Sequence, residues 1–442
     1  MPEKQTPRFA RMLPGQRRRS FTLAYLNGAL WGIGNGLSGT TLVFYLAQSY
    51  GASGLALSWV LAAPALVGVL RLFTPLWMDR LGNRRRFCIR MFSLSAVAML
   101  GLPLMSAPEI LPEDAHSITA LIICWAGYQL LTDIGMVALW SWFSDLVPSR
   151  IRGRFVGRRS SWRNIGRVIG TVFSATGNYY WQRYCVETNQ PDQYWIGYAT
   201  LATAGSVAML LAVWPLTKMD ELPSPSEIGS RSARYRMREL IQPFMDKSFR
   251  SLMYYGGWFS FANGLTDTAI RIFILADLQI DYSQKRILDS TSRGIQATLM
   301  PWAGNQADQR GNIPLLVTSQ GLVAVALLFL LPATAEAKWW VLGTYTLWIA
   351  YAGINVAMPN LMLQMSKPEC SAAYAAAWFA VVRLFYAISA LIGGVLYDWA
   401  SEDWTYFSVG TWQCDHFAML IIIGFMLRSL GMVWAARIHE PT

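Results

Sequence analysis

The hydrocarbon core of a bilayer takes a helix of about 20 predominantly apolar residues. Stretches of that kind recur through this 442-residue chain with short polar breaks between them. By length and apolar density they fall at 22–46, 55–78, 87–107, 117–144, 160–181, 195–217, 251–276, 284–306, 314–335, 339–364, 371–397 and 415–436. The eighth is the most interrupted, by Asp289, Arg293 and Gln296. Charged residues are only 14% of the chain, against about 25% in a soluble domain. The expected fold class is an all-α membrane protein of twelve transmembrane helices.

The basic residues give the orientation. Almost all Lys and Arg outside the spans fall in the N-terminal tail, the even-numbered loops and the C-terminal end; the odd-numbered loops hold only Arg183, Lys285, Arg286 and Lys338, in or beside them. By the positive-inside rule both ends of the chain are cytoplasmic, in an inner (plasma) membrane. The formal net charge of +11 then belongs beside anionic lipid headgroups and does not signal nucleic acid. Residues 1–20 are basic without an apolar core, so they read as a tail and not as a signal peptide. The five cysteines are scattered with no C-x-x-C, which argues against a metal or redox framework. Cys185 and Cys414 fall in outer loops and read as free thiols, with a disulfide between them as the alternative.

The chain repeats itself. G-N-G-L-S-G-T at 34–40 satisfies G-x-G-x-x-G, but it lies inside an apolar span, whereas a nucleotide loop must leave a strand and open a helix. Its counterpart is A-N-G-L-T-D-T at 262–268, which aligns Asn35 with Asn263 and Gly36 with Gly264. P-L-W-M-D-R-L-G-N-R-R-R after the second span matches G-N-Q-A-D-Q-R-G-N after the eighth, pairing Asp79 with Asp308 and Gly82 with Gly311. Trp125 and Tyr128 match Trp348 and Tyr351; Trp162 and Arg167 match Trp378 and Arg383. Two six-helix halves follow, at 21–217 and 251–442, joined by a polar linker at 218–250 whose second part reads as a basic amphipathic helix. The glycines of the first span serve close packing or a bend.

Asp79, Arg80, Gly82, Arg84 and Arg85 resemble the loop signature G-x-x-x-D-R-x-G-R-R of the major facilitator superfamily, with Pro75 in place of the leading glycine. The second copy keeps that glycine as Gly304 and reduces the basic run to Arg310. D-L-V-P-S-R-I-R-G-R at 145–154 resembles the same superfamily's loop between helices 4 and 5. The resemblance implies a secondary transporter whose helices 1, 4, 7 and 10 line a central cavity, with helix 2 packed beside 11 and helix 5 beside 8. Many proton-coupled members carry an Arg in helix 4, where this chain has Asp133 and no Arg.

A charge at mid-bilayer costs about 2.5–3.5 kcal/mol on insertion scales, so each one needs a partner or water. Arg71, Asp133, Arg167, Asp267, Arg271, Asp289, Arg293, Arg383 and Arg428 all fall within spans. Asp267 with Arg271, and Asp289 with Arg293, have i,i+4 spacing, which suits either self-neutralising pairs or exchangeable partners in a cavity. Asp133 has no basic residue at helical spacing. It takes an Arg from another helix, meets water or is protonated. Asp133, Asp267 and Asp289 are therefore the coupling candidates. Arg167 and Arg383 have two readings: a clamp for an anionic substrate, or a latch reaching the opposite half's signature acid, Arg383 to Asp79 and Arg167 to Asp308. Asn35, Gln129, Asn263, Arg271, Arg293 and Asn355 are the cavity candidates.

The expected function is secondary active transport of a small polar solute (a sugar, organic acid or zwitterion) by alternating access, coupled to a proton or sodium ion, by a monomer. Alternatives are a drug efflux antiporter, a lipid or lysolipid flippase on the same fold, and a non-transporting sensor. No nucleotide, hydrolase or zinc motif occurs, so neither a cofactor nor catalysis is expected.

Overall fold

The computed structural model describes residues 14–49, 54–81, 83–106, 114–190, 193–221, 233–280, 282–403, 407–409, 412–414, 416–438 and 440. All twelve expected spans are helical. The first is α1 (Pro14–Leu37) and α2 (Thr40–Ser49). The second is α3 (Gly54–Val67) and α4 (Thr74–Leu81), joined by a 3-10 stretch at Gly68–Phe73. The third is α5 (Arg84–Met99) with α6 (Gly101–Ser106). Single helices make the fourth, fifth and sixth: α7 (Asp114–Leu146), α8 (Arg152–Glu187) and α9 (Tyr194–Lys218). The helix expected between the halves is α10 (Ala233–Met245).

The seventh span is α11 (Lys247–Ile272), ending in a π turn at Phe273–Asp277. The eighth is one continuous helix, α12 (Tyr282–Arg310), despite its charges. The ninth is α13 (Asn312–Val325), continued as a 3-10 stretch to Leu330. The tenth is α14 (Trp340–Leu347) and α15 (Tyr351–Met365). The last two are α16 (Ser371–Asp403) and α17 (His416–Ala436). Among the described residues the only strands, β1 (Phe407–Val409) and β2 (Trp412–Cys414), pair antiparallel in the loop before α17. Cys185 is a free thiol; the side chain of Cys414 lies outside the described residues.

Two families of seams give the halves the same internal plan. In the first half span 1 packs on spans 5 and 6, span 3 on 4 and 6, and span 2 on 4; the second half repeats this with 7 on 11 and 12, 9 on 10 and 12, and 8 on 10. The halves meet through span 5 against 8 and span 2 against 11. The α1–α8 seam is the tightest. A Cβ on Gly36 would strike the Arg167 carbonyl, and one on Gly170 the Ile33 carbonyl. Without side chains there, the two backbones approach closely, which is how helices associate where hydrocarbon supplies no hydrophobic drive. Thus the glycines of the 34–40 stretch pack α1, and the break at Ser38–Gly39 bends it; the Ser38 hydroxyl donates back to the Gly34 carbonyl at 2.9 Å, a bond that favours bending.

The face where α1, α5, α8, α11, α13 and α16 begin is called the basic face, and its opposite the far face. Turns on the basic face are fixed by caps. Asn83 accepts from the Arg86 amide at 2.8 Å and starts α5. Gly311 adopts φ +89°, a left-handed position that favours glycine, between α12 and α13. Large apolar side chains such as Val97, Phe173, Leu211, Leu322, Val395 and Met426 are exposed on the outside of the bundle, as expected where lipid is the solvent.

Asp246 caps α11, its Oδ1 accepting from the amides of Ser248 (3.1 Å) and Phe249 (3.4 Å). Its Oδ2 takes the Tyr374 hydroxyl at 2.8 Å and lies 3.7 Å from Lys367 Nζ. Partial burial pushes the carboxyl up, but Tyr374, the helix amides and Lys367 outweigh it and hold the pKa below its ordinary value. A depressed carboxylate stabilises the fold above its unfolded pKa, and that stabilisation is lost as pH falls through the folded value. D246A should therefore cost roughly 1 kcal/mol at neutral pH. In thermal unfolding of purified protein the gap to wild type should narrow below about pH 4; a gap constant with pH would show that the charge contributes nothing.

Candidate functional site

Between the halves lies a cavity of about 660 Å³. Spans 1, 2, 4, 5, 7, 8, 10 and 11 line it, and no described residue of spans 3, 6, 9 or 12 does. On span 1 the lining runs from Asn35 to Leu42; on span 2 it is Val60 and Pro64; on α12 it runs from Lys285 to Gln296. These are the far-face portions of their helices, while Arg167 and Arg383 enter at mid-helix. The cavity therefore extends from the middle of the molecule towards the far face.

The basic-face half is packed shut. Gly157 meets the Met300 carbonyl and Gly304 meets the Gly153 carbonyl, closing α8 against α12. Asp308, at the end of α12, accepts from the Gly153 amide (2.8 Å), the Arg154 amide (2.9 Å) and Arg154 Nε (3.2 Å). A carboxylate on the N-terminus of α8 satisfies orphan amides and complements the helix dipole. Ser141 and Ser371 join the halves again through their hydroxyls at 2.9 Å.

Helix polarity follows the cavity. Among the described residues seven helices are long and apolar enough to cross a membrane, in spans 3, 4, 6, 9, 10, 11 and 12. The five spans that fail this test, 1, 2, 5, 7 and 8, are interrupted or carry buried charge, and all five line the cavity.

Of the expected cavity residues, the structure brings together Asn35, Gln129, Asp267, Asp289, Arg167, Arg293 and Arg383. Asp267 accepts from the Tyr386 hydroxyl at 2.6 Å and Asp289 from the Tyr345 hydroxyl at 2.8 Å. Asp289 and Arg293 do not form the expected pair: among the described residues no ion pair joins them, and the carboxylate takes a tyrosine from span 10 instead. The side chain of Arg271 lies outside the described residues, as does that of Asp79; Gly82 lies outside them altogether. At the offset of 229 that relates Asp79 to Asp308, Asp289 and Arg293 correspond to Val60 and Pro64. At these two positions the repeat thus places apolar lining on one wall and charged lining on the other.

Three expectations change. Arg167 does not reach Asp308, because α8 delivers its own N-terminal amides and Arg154 there; Arg167 faces the cavity, within the electrostatic field of Arg293 and Arg383. Asp133 does not line the cavity. It forms a buried ion pair with Arg71 of the second span, whose Nε also donates to the Gly68 carbonyl at 2.6 Å. Asn355 sits on an exposed face of α15 away from the cavity.

Asn263 stands one layer behind the cavity. It accepts from the Tyr351 hydroxyl (2.7 Å) and from Arg428 Nε (3.2 Å) and Nη2 (3.0 Å). Its amide donates to the Phe259 carbonyl four residues back, as Asn35 does to Trp31. The repeat is therefore visible in side-chain bonding as well as in backbone.

The loop signature builds the basic face. Arg84 pairs with Asp145 at 2.6 Å, both buried, while Arg80 is exposed. Glu221 accepts from the Arg85 amide at 3.1 Å and Glu440 from the Asn312 amide at 2.9 Å. These are equivalent caps on spans 3 and 9, and sequence reasoning missed them. The signal was present in M-D-E-L-P against I-H-E-P, each just after the last helix of its half. Lys285, Tyr345 and Tyr386 were also missed; their spacing alone does not separate cavity from interface aromatics.

A family model described as the Major Facilitator Superfamily matches residues 24–262. No curated protein matches the sequence. Solved structures share its fold. A proton:xylose symporter bound to a bromo-deoxy-D-glucose superposes with a TM-score of 0.68 at 14% identity, covering 96% of each chain. The E. coli fucose:proton symporter gives 0.70 at 10% identity over 96% of this chain and 100% of its own. A human organic anion transporter gives 0.64 at 14% identity over 94% and 100%.

The buried Arg71–Asp133 pair makes a prediction. Removing one partner strands a buried charge, at a cost of about 3–5 kcal/mol, whereas replacing both by apolar residues is far milder. D133A should lower the unfolding midpoint sharply, and R71M/D133L should recover most of it. A D133A protein as stable as wild type would mean that the pair contributes nothing to the fold.

Proposed function

Because the chain belongs to the major facilitator superfamily, we propose that it is a secondary active transporter that carries a small polar solute across the bilayer by alternating access, its basic face in the cytoplasm. The observation that carries the reading is the cavity: lined by six charged side chains among apolar ones, between two repeat-related halves, extending towards one face and packed shut towards the other. That is a solute site caught open to one side. On this reading the halves are 21–217 and 251–442, with 218–250 as the cytoplasmic linker.

The residues suggest how the cycle runs. Solute enters from the far face and meets groups from both halves. Rocking the halves closed over it requires the α8–α12 seam to part, so Asp308 must leave the amides of Gly153 and Arg154. Hydrogen bonds to a charged group contribute about 1.5–3 kcal/mol each. Such a latch holds the cytoplasmic side shut until bound solute compensates. Asp267 and Asp289 are the coupling groups: each is a carboxylate in the cavity wall holding a tyrosine hydroxyl from a neighbouring span. Protonation or sodium binding there changes the charge of the cavity and its bonds to spans 11 and 10. Asp133, held by Arg71 behind the wall, keeps the first half together instead.

Two measurements test this. D308N should populate the inward-open form about tenfold more, the effect of roughly 1.4 kcal/mol, read as labelling of cysteines placed along the α8–α12 seam. Unchanged labelling would remove the latch from the mechanism. In proteoliposomes, D267N or D289N should abolish gradient-driven accumulation while exchange of solute across a preloaded membrane continues. Accumulation intact in both variants would end the coupling assignment.

A further inference from the structure

The proposed transport reading leaves the solute unnamed, and the charges of the cavity narrow it. Among the described lining residues are four cations, Lys285, Arg167, Arg293 and Arg383, and two carboxylates, Asp267 and Asp289. The formal balance is +4 and −2, an excess of +2. Each carboxylate already holds a tyrosine hydroxyl. The three arginines hold nothing: among the described residues none of them makes an ion pair or a side-chain hydrogen bond. Asp289, four residues from Arg293 on the same helix, turns to Tyr345 instead.

Arginines grouped in this way repel one another. Arg293 and Arg383 both act electrostatically on Arg167, and Arg383 acts on Arg71 as well. Like charges gathered without counter-charge raise the energy of the empty cavity, although Arg383 is exposed and Arg167 and Arg293 are half-buried. Here the charge is left uncompensated on three separate helices, α8, α12 and α16, that come from both halves. A guanidinium offers a planar fork matched to carboxylate and phosphate oxygens. The indole N–H of Trp348, on the same lining, is buried without a partner and adds an uncharged donor.

Resting on the transport reading, we propose that the solute is a small organic anion bearing carboxylate or phosphate groups, bound where Arg167, Arg293 and Arg383 converge. The arginines are drawn from the two halves, so an anion between them screens their mutual repulsion and lets the halves close. An empty cavity keeps its positive excess and resists closure. The ligand is thereby its own permission to cross.

The test uses purified full-length protein and four probes: succinate, inorganic phosphate, glucose 6-phosphate and uncharged glucose. Succinate or one of the phosphates should raise the unfolding temperature, and glucose should not; which of them does so separates carboxylate from phosphate recognition. R167Q, R293Q and R383Q should each weaken that anion's apparent affinity roughly tenfold or more, as expected for loss of a hydrogen-bonded charge. Without ligand these variants should unfold at the wild-type temperature or above it, because each removes like-charge repulsion; a merely structural arginine would lower it. R293K, which keeps charge without the fork, should recover binding only in part. Stabilisation by glucose, with glucose uptake into proteoliposomes and none by the anions, overturns the anion assignment and leaves the transporter standing. Silence from every anion, with no polar solute accumulated and a response to a lysolipid alone, overturns both readings.

Discussion

Hydrocarbon offers no hydrogen bonds, so every polar group in a spanning helix must be satisfied by protein or by a water-filled space. That constraint sorts the helices of this molecule. Spans 3, 6, 9 and 12 each hold a window apolar enough to cross a bilayer and take no described part in the cavity. Spans 1, 2, 5, 7 and 8 are too broken or too charged to face lipid all round, and the fold turns them inward. A cavity lined by charged and polar groups is what helices of this polarity enclose once each has hidden its polar face.

The same constraint decides how the helices adhere. With no hydrophobic drive between them in lipid, close backbone approach does the work, and glycines permit it. The α1–α8 seam within the first half and the α8–α12 seam between the halves both use this device. They differ in what else crosses them. The internal seam runs through the middle of the bundle, while the α8–α12 seam ends in Asp308 on the amides of α8. A glycine contact can slide or part with little loss, but a carboxylate on helix-end amides is either made or broken. The second seam is therefore the one suited to switch between two states, and it lies on the face opposite the cavity.

The spans, the halves and several cavity residues were legible because they depend on local composition or on the repeat. Asn35 and Asn263 are an example: their shared position in the two halves became a shared bond to the carbonyl four residues back. Pairings across the fold were not legible. Nothing in the sequence marks Arg71 as the partner of Asp133, since the two lie on different helices and meet only after both have folded. The latch was misassigned for a related reason. Arg167 has the charge to meet Asp308, but the main-chain N–H groups at the start of α8, with Arg154 Nε, satisfy the carboxylate instead, and main-chain donors leave no mark in a sequence. The i,i+4 spacing of Asp289 and Arg293 suggested a pair; a tyrosine from span 10 competed successfully for the carboxylate.

The repeat governs the backbone more strictly than the chemistry. The packing of helices, the caps by Glu221 and Glu440 and the half-buried Asn35 and Asn263 all occur twice. The cavity wall recurs only in part: Arg167 and Arg383 hold matching places, but other positions differ. Where the second half sets Asp289 and Arg293, the first sets Val60 and Pro64. On the transport reading, two halves that rock against each other benefit from matched hinges and seams, because both the closed and the open arrangement then use equivalent surfaces. Recognition has no such need for symmetry, since a small solute is not itself two-fold. The charge set on α12 is met across the cavity by Arg167 of the first half, so on the transport reading both halves hold the solute, with unequal sets of side chains.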